Sequence, residues 1–151
     1  MDLSFIRDLF EKGLYSVHES FDTWQDAIVA AVQPLVDNGC VDPEYADSIF
    51  ENIKENGPYI FLAPHICMPH SKAVQYVHKP CICFMKVNQP VKYDEDDPVT
   101  HAELFFTIAA TEPGAHLDFI ETLVGIFSFY QCEQLPTRDE IFRSEFTVRL
   151  N

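Results

Sequence analysis

The sequence contains few basic residues and few glycines, and each shortage excludes a class of function. Ten lysines and arginines stand against 24 aspartates and glutamates, which gives a formal net charge of −14. Nucleic-acid binding needs a basic surface, so this balance argues against a nucleic-acid partner. With five glycines, the chain has no glycine-rich phosphate loop, dinucleotide fingerprint or G-x-S-x-G elbow. Nucleotide binding by a backbone cradle is therefore not expected.

Long apolar runs are also missing. No segment approaches the roughly 20 residues that a membrane-spanning helix needs. The start, MDLSFIRDLF, lacks the apolar core that is typical of a secretory signal. The odd number of cysteines, five, favours reduced thiols over a disulfide framework. We expect a cytoplasmic protein without direct membrane insertion.

The chain does contain enough apolar residues for a single packed domain, since 47% of its 151 residues are hydrophobic. Helical periodicity predicts helices over about 3–12, 24–38, 43–56 and 115–130, with a short one after 137. Strands are predicted at 14–17, 59–62, 81–87 and 104–110. The last of these is apolar throughout, which predicts a central position in the sheet. Interleaved helices and strands favour one α/β domain.

Local signals set several of these boundaries. Asp22 or Thr23 is expected to cap the second helix, and Pro34 to end or bend it. Asp42 followed by Pro43 predicts the start of the third helix, as an acidic cap and a first-turn proline. The acidic run 94–97 is interpreted as a solvated loop, with a metal site as the alternative.

Two of the six histidines stand at the ends of predicted strands. His70 follows the strand at 59–62 and lies behind Pro69, which restricts the backbone before it. His116 stands where the strand at 104–110 has ended and a helix begins. If the two strands are parallel neighbours, both imidazoles emerge at the same edge of the sheet. A helix N-terminus there would favour an anion such as phosphate, although either histidine could be an ordinary polar residue.

A zinc site is an alternative interpretation. It would draw on five candidate ligands: His65, Cys67, His70, Cys81 and Cys83. Their spacing matches no recognised zinc motif, and cysteine is often a small buried hydrophobe, so core cysteines are preferred. Cysteine–histidine nucleophilic catalysis through Cys67 is weaker still, because nothing marks a general-base geometry.

Four segments occur in an order and spacing that are typical of one family: DTWQDAIVAAVQPLVDNGCVDPEY, ENGPYIFLAPHICMPH, KVNQPV and LFFTIAATEPGAHLDFIETLVGIF. The chain resembles an enzyme IIA component of the bacterial phosphoenolpyruvate-dependent sugar phosphotransferase system. It is most similar to the mannitol/fructose/ascorbate type, and within that type to the ascorbate-like branch. The resemblance implies one enzyme IIA domain over residues 1–151. The implied fold is a single-domain α/β sandwich with a mixed β-sheet flanked by helices on both faces.

The resemblance also implies an activity. His70 would accept a phosphoryl group through Nε2 from the phosphocarrier protein HPr and pass it to a cognate enzyme IIB, where a cysteine is expected as acceptor. His116 would be the second active-site histidine. Ser71 could add a hydrogen bond to the phosphoryl group, or be a plain surface hydroxyl. The protein would thus be a phosphotransferase without a cofactor or metal; the sugar stays undetermined, as does the choice between a monomer and a homodimer.

Two departures from the family's pattern stand out. The family usually has G-x-A-x-P-H at the active site, and here His65 and Cys67 occupy the places of the glycine and the small residue. The mannitol branch carries a basic residue on the preceding helix, for which Lys54 is a weak counterpart. A functional alternative from another class is a regulatory module, whose protein contacts would be switched by phosphorylation of His70.

Overall fold

The computed structural model describes residues 11–111, and within them the chain forms a mixed sheet and two α-helices. The strands are β1 (Tyr15–His18), β2 (Phe61–Ala63), β3 (His65–Cys67), β4 (Cys81–Lys92) and β5 (His101–Ala109), and the helices are α1 (Trp24–Asp37) and α2 (Glu44–Asn56). Short 3₁₀ turns occupy Val74–Tyr76 and Pro98–Thr100. The strand order is β1-β4-β5-β3-β2. The predicted α/β class is confirmed.

Strand β5 lies at the centre of the five, as its apolar sequence predicted. It pairs antiparallel with β4 and parallel with β3. Every residue from Leu104 to Ala109 is buried. A strand covered on both faces reads as a continuous apolar run rather than an alternating one, and this explains why LFFTIA marks the middle of the sheet.

Helix α1 covers one face of β4 and β5. The Thr23 side chain accepts a hydrogen bond from the backbone N–H of Asp26 at 3.1 Å, which confirms a cap at this position. Pro34 does not end the helix, which continues to Asp37. The Pro34 carbonyl accepts hydrogen bonds from the backbone N–H of Asn38 at 3.1 Å and from the side-chain amide of Asn38 at 2.8 Å. These bonds close the last turn beyond the proline.

Helix α2 begins and ends close to the predicted residues. It stops at Gly57, whose φ of 77° lies in the left-handed region that suits glycine. Tyr45, Ile49 and Ile53 are buried on its inner face. The Asp42 side chain does not act as the predicted cap; Oδ1 instead lies 2.7 Å from Nε2 of His78.

The strand predicted at 59–62 is wrong in its bounds. Tyr59 lies in a turn, and β2 occupies Phe61–Ala63. Residues 65–67, predicted as loop, form β3, which pairs antiparallel with β2. A three-residue strand is too short to show an alternating pattern, so its pairing partner and not its own sequence defines it.

Strand β4 is longer than the predicted segment 81–87, because it continues through Pro90 to Lys92. Its register against β5 shifts between Lys86 and Val91. Proline has no backbone N–H to donate to a neighbouring strand. At a register shift the strand pairing does not require that hydrogen bond, so Pro90 is accommodated there. The acidic run that follows forms a turn: the backbone N–H of Asp96 donates to Oδ1 of Asp94 at 3.0 Å.

Several predictions lie outside the described residues: the helices over 3–12, over 115–130 and after 137, and His116. Within residues 11–111, no helix is long and apolar enough to cross a membrane.

Candidate functional site

The candidate site lies where a parallel pair of strands ends. Strands β3 and β5 run in the same direction, with Cys67 opposite Phe105. His70 follows β3 by three residues and therefore lies at the carboxyl edge of the sheet, where ligand sites of α/β proteins form. The strand predicted at 59–62 does not meet the condition that the strands before His70 and His116 are parallel neighbours, because β2 is antiparallel to β3 and does not pair with β5. It is β3, the strand directly before His70, that runs parallel to β5. His116 itself lies outside the described residues.

The segment between β3 and His70 is fixed from both sides. Met68 is fully buried and donates its backbone N–H to the carbonyl of Ile60 at 2.7 Å. The carbonyl of Pro69 accepts from the backbone N–H of Ile108, on β5, at 3.1 Å. Two interstrand-type bonds and one proline leave little freedom for the backbone that carries His70.

The imidazole of His70 has a defined tautomer. Its Nδ1 lies 2.6 Å from the backbone oxygen of Met68. A carbonyl oxygen only accepts hydrogen bonds, so Nδ1 must carry the proton. In the neutral ring the lone pair then belongs to Nε2. A backbone carbonyl therefore fixes the tautomer of the His70 ring.

Tyr59 packs against this ring. The two ring centroids are 5.0 Å apart and the planes meet at 84°, an edge-to-face contact. The Tyr59 hydroxyl donates to the backbone oxygen of His70. Burial raises the pKa of Tyr59, while a hydrogen bond from Asn52 lowers it by less. The phenol therefore stays protonated and keeps donating at neutral pH.

Ser71 connects the site to the core through a hydrogen-bond chain. Its backbone N–H donates to the hydroxyl oxygen of Tyr45 at 3.1 Å, and that hydroxyl donates to the carbonyl of Ile108 at 2.7 Å. The Ser71 Oγ accepts from Nδ2 of Asn52 at 3.3 Å and from the backbone N–H of Ala73 at 3.0 Å. Because Oγ accepts twice, its own proton is available for donation.

These groups surround an open pocket of about 280 Å³. It is lined by Asn52, Asn56, Tyr59, His70, Ser71 and Lys72. Lys54, the basic residue that the sequence offered, is exposed in the last turn of α2 and does not line it. Sequence reasoning identified His70 and Ser71 and missed the others. Lys72 carried one usable signal, its position two residues after His70.

The three cysteines of the zinc alternative, Cys67, Cys81 and Cys83, lie in the core or pack against it. Cys67 and Cys83 are buried, and burial raises the pKa of both thiols well above the ordinary value. The Cys83 thiol donates to the carbonyl of Ala31 at 3.0 Å. A protonated, buried Cys67 is no nucleophile. Within residues 11–111 no three histidine, cysteine or acidic side chains gather to hold a metal ion.

His65 lies at the amino end of β3, and it does not line the pocket. Its φ of 79° is left-handed, which explains why a glycine suits this place in the family's pattern. Its Nδ1 lies 2.9 Å from Oε2 of Glu103 in an exposed pair.

Fold and pocket together define a class: a mixed-sheet α/β domain that presents one tautomerically fixed histidine at the carboxyl edge of a parallel strand pair. Residues 8–136 match the family described as phosphoenolpyruvate-dependent sugar phosphotransferase system, EIIA 2. The chain belongs to this family, and the resemblance seen in the sequence is confirmed. As an enzyme IIA component of that system, it is a phosphotransferase.

Individual relatives agree with this assignment. The ascorbate-specific PTS system EIIA component of Shigella boydii serotype 4 is 31% identical over 126 residues, which cover 81% of this chain and 80% of that protein. A putative PTS IIA domain from Streptococcus pyogenes has 28% identity and a TM-score of 0.79, over 99% of this chain and 96% of that one. A complex of enzyme IIA-Mtl and phosphorylated enzyme IIB-Mtl from Escherichia coli has 23% identity and a TM-score of 0.71, over 91% and 95%, a likeness of fold.

Proposed function

We propose that the protein is a cytoplasmic phosphocarrier that takes a phosphoryl group from phospho-HPr on His70 and passes it to a cognate enzyme IIB in sugar uptake. The observation that carries this proposal is the 2.6 Å contact between Nδ1 of His70 and the Met68 carbonyl. It leaves the nucleophilic lone pair on Nε2, in a ring whose backbone is held on both sides.

The transfer itself would be an in-line displacement. The lone pair on Nε2 attacks phosphorus and forms a new N–P bond, while the N–P bond of the donor breaks and its electron pair returns to the donor imidazole. Positive charge develops on the His70 ring, and the Nδ1–H bond to the Met68 carbonyl stabilises it. Transfer to enzyme IIB reverses these roles, with a cysteine expected as the attacking group.

We assign the supporting interactions to His116 and Ser71. His116 would hold phosphoryl oxygens; the support is that β5, which leads towards it, is the parallel neighbour of β3 and shares its carboxyl edge. Ser71 lines the pocket and has a hydroxyl proton to donate. Donors aimed at the equatorial oxygens are what phosphoryl transfer asks of a protein.

Two partners are part of the proposal. The Escherichia coli complex described above pairs an enzyme IIA with a phosphorylated enzyme IIB, and we extend that pairing to this chain. The net charge of −14 would suit a basic face on HPr. The relay needs only pairwise encounters with these partners, so it does not depend on a homodimer.

The test is a reconstituted relay with phosphoenolpyruvate, enzyme I, HPr and this protein. We expect one acid-labile, base-stable phosphoryl group, located on His70 by peptide mass spectrometry and lost in His70→Ala. His116→Ala should still accept the group but pass it on slowly. His78→Ala, in an exposed histidine paired with Asp42, is the matched control and should behave like the wild type.

Labelling that persists in His70→Ala would exclude this acceptor. Wild-type transfer by His116→Ala would remove the role assigned to that residue. A protein that accepts the phosphoryl group on His70 but passes nothing to any enzyme IIB would favour the regulatory alternative over a transport relay.

A further inference from the structure

Lys72 brings a positive charge to the pocket of His70. It lies two residues after the histidine, and its exposed side chain lines the same pocket. In the part of the chain that the structure describes, the salt bridges involve other residues, such as Lys92 with Glu95 at 3.4 Å. Lys72 is thus not committed to an ion pair there.

A phosphoryl group makes this charge useful. It brings between one and two negative charges to a chain whose net charge is already −14. The other described side chains around His70 in the pocket are neutral amides and hydroxyls. Hydrogen bonds to a charged group are stronger when the donor is itself charged. An ammonium at the pocket therefore offsets the repulsion between the phosphoryl group and the acidic chain, which neutral donors cannot do.

The backbone holds Lys72 at this position while its side chain stays free to move. On one side the N–H of Ser71 is bound to the Tyr45 hydroxyl at 3.1 Å. On the other, the carbonyl of Lys72 accepts from the N–H of Val74 at 2.8 Å. A lysine on a fixed turn can follow a phosphoryl group that arrives and leaves, because its ammonium is a point charge on a flexible stem.

We propose that Lys72 is a catalytic residue whose ammonium contacts the phosphoryl oxygens on His70; the proposal rests on the phosphocarrier function above. It places the positive charge of the site on the loop after the histidine rather than on α2. Lys54, exposed in the last turn of that helix, lies outside the pocket.

Three variants test this assignment. Lys72→Gln removes the charge, Lys72→Arg keeps it, and Lys54→Gln is a matched control that removes the same charge outside the pocket. We expect Lys72→Gln to slow transfer from phospho-HPr by on the order of 10- to 100-fold. Lys72→Arg should restore most of the rate, and Lys54→Gln should stay within about twofold of the wild type.

A second readout separates a catalytic role from a structural one. In ³¹P NMR titrations, the pKa of the phosphoryl group on His70 should rise in Lys72→Gln and not in Lys54→Gln, because loss of a nearby cation favours the less charged form. Equal rates and equal phosphoryl pKa values in these two variants would overturn the Lys72 assignment alone. Absence of phosphoryl transfer to His70 in the wild type would overturn the proposed function, and this inference with it.

Discussion

Replacing Tyr45 with phenylalanine removes one oxygen atom that joins the core to the site. The hydroxyl is fully buried, donates to the Ile108 carbonyl at 2.7 Å and accepts from the Ser71 N–H at 3.1 Å. A buried polar group that loses its partner costs about 1–3 kcal/mol. Ser71 is only half-buried, so water replaces part of its bond. We expect a loss of about 2–4 kcal/mol in the free energy of unfolding, or roughly 5–15 °C in Tm.

The same variant has a distinctive pH dependence. Burial raises the pKa of Tyr45 from 10.0 to about 12. Between pH 10 and about pH 12, Tyr45 has lost its proton in the unfolded chain but keeps it in the folded chain. The free energy of unfolding of the wild type therefore falls by about 1.4 kcal/mol for each pH unit in this range. Phenylalanine does not titrate. The stability difference between the two proteins should therefore narrow above pH 10, while the contribution of Tyr59, present in both, cancels.

The assay is urea unfolding followed by circular dichroism at pH 8 and pH 11. Tyr76→Phe is the matched control: the ring is half-buried, and among residues 11–111 its hydroxyl has no hydrogen-bond partner. The free energy of unfolding of Tyr76→Phe should lie within about 0.5 kcal/mol of the wild-type value. A Tyr45→Phe variant as stable as this control at pH 8 would refute the bridging role. A stability difference that is equal at both pH values would refute the burial argument.

Two further predictions concern His65 and the buried thiols. His65→Gly should raise the free energy of unfolding by about 1 kcal/mol, because glycine adopts the φ of 79° without strain and this gain exceeds the loss of the contact between the exposed His65 side chain and the half-buried Glu103. His65→Ala, which keeps the strain, should show no gain in urea unfolding, and equal stability of the two variants would contradict this. Cys67 and Cys83 should resist alkylation at pH 8 in the folded protein and react in urea, since burial raises both pKa values. Rapid alkylation of either cysteine in the folded protein, located by mass spectrometry, would contradict their burial.

Fold elements with local signals could be predicted from the sequence, and those defined by pairing could not. Thr23 caps a helix and Gly57 ends one through interactions within a few residues. Strand β3 has no such signal: it exists because β2 and β5 lie on either side of it. The same holds for the extension of β4 past Pro90, where a register shift against β5 makes room for the proline.

The site divides in the same way. His70 was predictable because Pro69 and the Met68 carbonyl that fix it are its chain neighbours. Tyr59 reaches the histidine across 11 residues, and Asn52 reaches Ser71 across 19. Both contacts depend on how α2 and the turn after it pack against the segment that follows β3, which no local pattern encodes. A resemblance to a family transfers the residues of its motif, so it identified His70 and left these neighbours out.

A phosphocarrier must both accept and release a phosphoryl group. Among the described residues, the site combines a fixed histidine with a lysine whose side chain can move. Nδ1 of His70 and its neighbouring backbone are held by the Met68 carbonyl and by Ile108, so the nucleophile does not have to be ordered at each encounter. The charge on Lys72 is carried by a flexible stem. A cation raises the rate only as far as it stabilises the phosphoryl group more in the transition state than in the ground state. A cation that follows the group can stabilise its transfer in either direction.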